Sequence, residues 1–166
     1  MPLPAQVDPR KLALRSAELV GDIPVNCMSR LASATVRIND PANATIVFKI
    51  DESGFTLISG SVSVSAFAQC QRCLHEVDIC IQSEFKLRIV SQENEEDWKV
   101  KFIDPLVIDK GILDLYQMLE DELILALPIV NYHEIGQCAN NLDKFKYNSS
   151  SSAQTGPFDI LKQLKN

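Results

Sequence analysis

Cys70 and Cys73 bracket Gln71 and Arg72, and this pairing carries the clearest chemistry in the chain. Two thiolates at that spacing can hold one tetrahedral metal ion from a single turn. A complete site needs two more ligands. His133, Cys138, His75, Cys27 and Cys80 are the remaining thiols and imidazoles. Cys80 falls on the polar phase of its strand and would point away from the pair. His133 with Cys138 is the best completion, although the spacing between them is loose and only three cysteines would take part. Plain buried or half-exposed thiols are therefore the preferred reading, with zinc held open beside it. A thioredoxin-like redox pair is a third reading. Such a pair precedes a helix that lowers a thiol pKa, whereas here a strand follows.

Arg72 between the thiols is either a solvated turn residue or a contact to phosphate or to an acid. Glu120, Asp121 and Glu122 are consecutive. A solvated acidic helix face accounts for Glu120 and Asp121, and a partner could use that face. Glu122 falls on the apolar side and needs a partner of its own if buried. No second acid completes a hydrolytic pair with it. The chain carries no Ser-His-Asp spacing, phosphate loop or dinucleotide fingerprint. An enzyme and a small-molecule substrate are thus disfavoured.

These residues need elements to position them. From Thr56 to Val90 the apolar residues alternate with polar ones. They fall on even positions before the cysteines (Ile58, Val62, Val64) and on odd positions after them (Val77, Ile79, Ile81). Period-two alternation predicts two half-buried strands. The change of phase across a short break is what an antiparallel hairpin needs to keep one apolar face. The thiols then sit at its tip. Upstream, Thr35 to Ile38 and Thr45 to Ile50 read as strands around an Asp40 to Asn43 turn. Pro24 to Ser33 reads as a short helix. Lys11 to Val20 fits either a strand or a helix.

Gly111 to Leu127 is the strongest helix, ended by Pro128. At about 100° per residue, Leu115, Met118, Leu119, Glu122, Leu125 and Ala126 share a stripe. A short strand is expected over Pro105 to Ile108, after an acidic loop anchored by Trp98 and Phe102. The expected organisation is one α+β domain over 1–148, a serine-rich linker over 149–156 and an amphipathic tail over 157–166. The domain would be an antiparallel β meander, curling toward a partly closed barrel and packed against one main helix. A short C-terminal helix would follow. Strands first and helices later argue against alternating βαβ units.

The 166 residues are 46% hydrophobic, which excludes a disordered composition. No apolar run approaches the roughly 20 residues of a membrane span, so no membrane partner is expected. The first ten residues lack the basic start and apolar core of a signal peptide. With five cysteines, this points to a reducing cytoplasm. The net charge of −6 argues against a broad grip on a phosphate backbone and is compatible with a basic partner. The acid is concentrated between Ser91 and Glu122, where ten acidic residues meet three lysines.

Three stretches together resemble one family. They are Cys70-Gln71-Arg72-Cys73 at a strand break, Ile112 to Pro128 with Glu120-Asp121-Glu122 running into an apolar segment and Leu127-Pro128, and the tail from Gly156-Pro157-Phe158 to Lys165. This combination resembles the bacterial YceD family, the large ribosomal RNA subunit accumulation proteins. The resemblance implies a cytoplasmic, non-enzymatic factor needed for synthesis, processing or stability of 23S ribosomal RNA. A basic ribosomal protein, an assembly factor or pre-23S RNA would be its partner. Many members carry a second cysteine cluster after the helix, whereas here His133 and Cys138 stand alone. The zinc-stabilised binding module and the thiol redox protein remain the alternatives.

Overall fold

The computed structural model describes residues 1–90, 103–108 and 111–138. In chain order these form β1 (Gln6–Val7), α1 (Pro9–Leu14), β2 (Glu18–Ile23), a 3-10 turn (Val25–Cys27), α2 (Ser29–Ala34), β3 (Arg37–Ile38), β4 (Ala42–Ile50), β5 (Thr56–Gln69), β6 (Glu76–Val90), β7 (Asp104–Val107), β8 (Leu113–Asp114) and α3 (Leu115–Leu125). The acidic stretch with Trp98 and Phe102, the serine-rich linker and the amphipathic tail lie outside the described residues.

The hairpin of β5 and β6 is the frame. Ala68 faces Val77 and Ile58 faces Leu87, so even residues of β5 meet odd residues of β6. Both sets therefore turn to one face, where Ile58, Val62, Val64, Ala66, Ile81, Phe85 and Leu87 are buried. β4 extends this face with Ala42, Ala44, Ile46 and Phe48, all buried. It starts earlier than expected. Asn43 already pairs with Ser63, so the preceding turn ends at Pro41. Gly60 allows the close approach of β4, because a Cβ there would lie 2.0 Å from the Thr45 carbonyl oxygen.

The sheet order is β2-β4-β5-β6-β7, with β3 added on the far end of β5. Its terminal strands β2 and β7 do not pair with each other, so the sheet is open, which corrects the expectation of a partly closed barrel. Helices do the covering instead. α1 packs on β4 and β5, and α3 packs on β5 and β6. β7 departs from the meander, because it runs parallel to β6 with Leu87 opposite Asp104. The architecture is α+β, mostly antiparallel, with few helices.

The Lys11 to Val20 segment contains both readings in turn. Asp8 accepts the Lys11 N–H at 3.1 Å and starts α1, which gives way to β2 at Glu18. At the main helix, Leu113 and Asp114 first pair with β1 as β8. Asp114 then caps α3 by accepting the Gln117 N–H at 3.0 Å. Leu115, Met118 and Leu119 are buried as expected. Leu123 joins them, whereas Leu125 is 80% exposed near the helix end. Among the described residues no helix is long and apolar enough to cross a membrane.

Candidate metal centre

The last ladder pair of the hairpin is Gln69 with Glu76. Beyond it the Cys70 N–H bonds the His75 carbonyl at 2.9 Å, and the Leu74 N–H bonds the Cys70 carbonyl at 2.9 Å. Leu74 takes a left-handed φ of 63° to close the turn. The turn folds both thiols inward, leaving Cys70 at 0% and Cys73 at 5% exposure. The chain after α3 is held along this tip. The Gln71 N–H bonds the Asn131 carbonyl at 2.9 Å, and its amide bonds the Ile129 carbonyl at 3.4 Å. The Arg72 guanidinium donates to the His133 carbonyl and lies 5.1 Å from the centroid of the Tyr132 ring. A turn at Glu134–Gln137, with Gly136 at φ 89°, then returns Cys138 to the thiols.

The ligating atoms of Cys70, Cys73, His133 and Cys138 all lie within 4.8 Å of one another. His133 Nδ1 is 3.3 Å from Cys73 Sγ and 3.9 Å from Cys138 Sγ, and Cys70 Sγ is 3.9 Å from Cys138 Sγ. Zinc–sulfur bonds of about 2.3 Å in a tetrahedron place sulfurs roughly 3.8 Å apart. The spacing thus fits a metal of that size. His133 Nε2 is 2.9 Å from the Glu76 carbonyl. Donating its hydrogen there leaves the Nδ1 lone pair facing the sulfurs, which is the outer bond that orients a metal-ligating imidazole. Burial pushes the Cys70 thiol up, but the backbone N–H groups of Cys73, His133 and Arg72 outweigh it and lower its pKa to about 5. The His133 imidazole is raised, first by its bond to Cys70. Burial, with the Cys73 and Cys70 thiols beside it, pushes Cys138 up to about 11. Three sulfurs and one nitrogen leave no open position, the pattern of a structural rather than a catalytic zinc.

His75 turns its ring to the Cys73 carbonyl at 2.9 Å, outside the cluster. Cys80 is exposed on the opposite sheet face, as its phase implied, and Cys27 is half-buried beside Asn26. Arg72 braces the tip against the chain after α3. The three acids of α3 separate. Glu120, expected on a solvated face, is 4% exposed and bonds Arg30. Asp121 reaches the same guanidinium from a half-exposed position. Glu122 is half-buried and accepts the Ser83 hydroxyl at 3.2 Å. Burial, the largest effect, raises its carboxyl pKa. Sequence reasoning missed Gln71 as a clamp on the returning chain and Arg30 as the base for Glu120. Neither partner is near in sequence, so no local signal marks either pair.

Fold and site together define a small α+β protein with an open sheet, its longest hairpin carrying at the tip a cluster of three cysteines and a histidine that could hold a metal ion. A family model described as large ribosomal RNA subunit accumulation protein YceD matches residues 58–165. The chain is 30% identical to the large ribosomal RNA subunit accumulation protein YceD of Haemophilus influenzae, over 98% of its own length and 96% of that relative's. The chain belongs to the YceD family. No solved structure matches it.

Proposed function

We propose that this protein is a non-enzymatic ribosome biogenesis factor of the cytoplasm, needed for the accumulation of 23S ribosomal RNA. The observation that carries the reading is likeness over nearly the whole chain to a relative named for accumulation of the large ribosomal RNA subunit. The protein works by contact, offering acidic surface to a basic ribosomal protein or assembly factor on the pre-ribosome. Such a charge match speeds encounter more than it adds affinity. The test is co-sedimentation of tagged protein with large-subunit precursors, with and without RNase, alongside 23S RNA levels after deletion. Co-sedimentation with lowered 23S RNA is expected. Absence from every precursor fraction together with normal 23S RNA would sink the reading.

A zinc ion held by Cys70, Cys73, His133 and Cys138 belongs to the same proposal, supported by their spacing and the closed donor set. Bound there, it supplies a structural cross-link between the hairpin tip and the chain after α3. Metal analysis of purified protein is expected to return about one zinc per chain, lost in Cys70→Ala. A metal-free protein with freely alkylated thiols would leave only a thiol cluster.

A further inference from the structure

Among the described residues, strand β6 has a long edge with no strand beside it. β5 pairs with it from Glu76 to Arg88, but β7 joins its other side only at Leu87–Val90. The hydrogen bond from the Cys70 N–H to the His75 carbonyl sets the phase of the ladder. Partners that exchange bonds recur at every second pair, so odd residues of β6 bond to β5. Even residues then direct N–H and C=O to the other side. His133 Nε2 taking the Glu76 carbonyl from that side agrees with this phase. At Asp78, Cys80, Gln82 and Glu84 these groups have no partner among the described residues, and all four side chains are exposed.

An edge of this length is a template for another strand. It has no proline, glycine or bulge between Val77 and Lys86 to blunt it. Its charges decide the occupant. Asp78, Glu84 and, at the open end, Asp104 form no ion pair among the described residues, whereas Glu76 is already bound by Arg37 at 3.2 Å. Lys86 is the one base in the row. A second copy pairing antiparallel about the centre of the edge would set Asp78 against the other copy's Glu84, which is destabilising. A strand with lysine or arginine at alternate positions would meet both acids on one face. Its intervening apolar residues would extend the face that holds Ile79 and Ile81. We propose that the β6 edge from Asp78 to Glu84 captures an extended, basic segment of a protein partner by strand addition. The proposal rests on the basic protein partner of the reading above and names its docking site.

Amide exchange on the full chain tests it, with a short synthetic peptide of alternating lysine and valine as the probe. The amides of Asp78, Cys80, Gln82 and Glu84 are expected to exchange fast in the free protein and about tenfold or more slowly with the peptide. The same peptide, N-methylated at the residues whose N–H groups face the edge, keeps its charge and is expected not to bind. Gln82→Pro removes only an outward N–H, a change that edge strands accept, and is expected to weaken the peptide about tenfold. Asp78→Asn with Glu84→Gln is expected to weaken it and flatten its salt dependence. Equal binding of the methylated and plain peptides would overturn strand addition while leaving an acidic docking surface intact. Protection of the four amides in the chain alone would overturn it too, because 91–102 or 139–166 would then hold the edge. Retention of a basic ribosomal protein by Gln82→Pro as by wild type would overturn the edge and keep the proposed function. Peptide capture with no place in any pre-ribosomal fraction would keep the edge and overturn that function.

Discussion

Glu122 shows what one carboxylate can do inside an apolar stripe. It faces Ser83 of β6, with Glu84 and Lys86 of the same strand, Asp104 of β7 and Asp121 of its own helix nearby. Burial raises its pKa above the ordinary 4.5, Asp104 and Asp121 push in the same direction, and the Ser83 hydroxyl opposes them. A carboxyl raised on folding favours the protonated form. Its contribution to stability is present below the unfolded value and is lost as pH rises through the raised folded value. At neutral pH the ionised group therefore opposes folding slightly. Glu122→Gln is expected to be equal to wild type or up to about 0.5 kcal/mol more stable at pH 7, because the site is only half-buried. Its advantage should shrink at pH 4. Urea unfolding at both pH values checks this, and a loss above about 1 kcal/mol at pH 7 would make the carboxylate a net stabiliser. Glu122 was legible because an acid breaks an apolar stripe. Glu120 was not, since helical phase places it among solvated acids and its partner Arg30 lies 90 residues upstream.

At the scale of elements, Glu120 joins two helices. α2 is preceded by Met28 at its N-cap, which supplies no side-chain cap. The Glu120 carboxylate from α3 takes that role, accepting the N–H groups of Arg30 at 2.8 Å and Leu31 at 3.0 Å. It also accepts Arg30 Nε at 3.0 Å, while Nη1 reaches Asp121 at 2.5 Å. Removing the carboxylate leaves buried N–H groups unpaired and a guanidinium short of an acceptor. Glu120→Ala is expected to lose about 3 kcal/mol and Glu120→Gln roughly 1. Denaturant midpoints at unchanged slope measure both, and an alanine variant within about 0.5 kcal/mol of wild type would mean the cap is idle. The hairpin was readable because its alternation is local and long. β7 and β8 were not. A four-residue parallel strand and a two-residue pair with β1 depend on distant backbone, and alternation cannot register in so few residues.

At the scale of the whole molecule, the buried apolar side chains of the described residues form two clusters. The main core lies between the sheet and the helices, from Leu3 to Leu123. A second, small cluster of Ala68, Cys70, Cys73 and Val77, with Ile79 and Cys138 against it, sits at the hairpin tip. The tip cluster is too small to hold the chain after α3 by burial alone. That chain depends on the Gln71 and Arg72 bonds and, on the reading proposed here, on zinc. The Cys70–Cys73 pair was legible from spacing, but the five-residue step from His133 to Cys138 looked too loose until the Gly136 turn brought them together. Because the two clusters share only the half-buried Ile79 among the described residues, a metal chelator is expected to release the tip without unfolding the sheet. Amide protection should fall at 70–77 and 131–138, while β4 and the Ile58 end of β5 keep theirs, and Cys138→Ser should reproduce the pattern. Exchange measured with and without chelator decides the matter. Loss of protection throughout β4 and β5 would mean that the centre supports the entire fold rather than one joint in it.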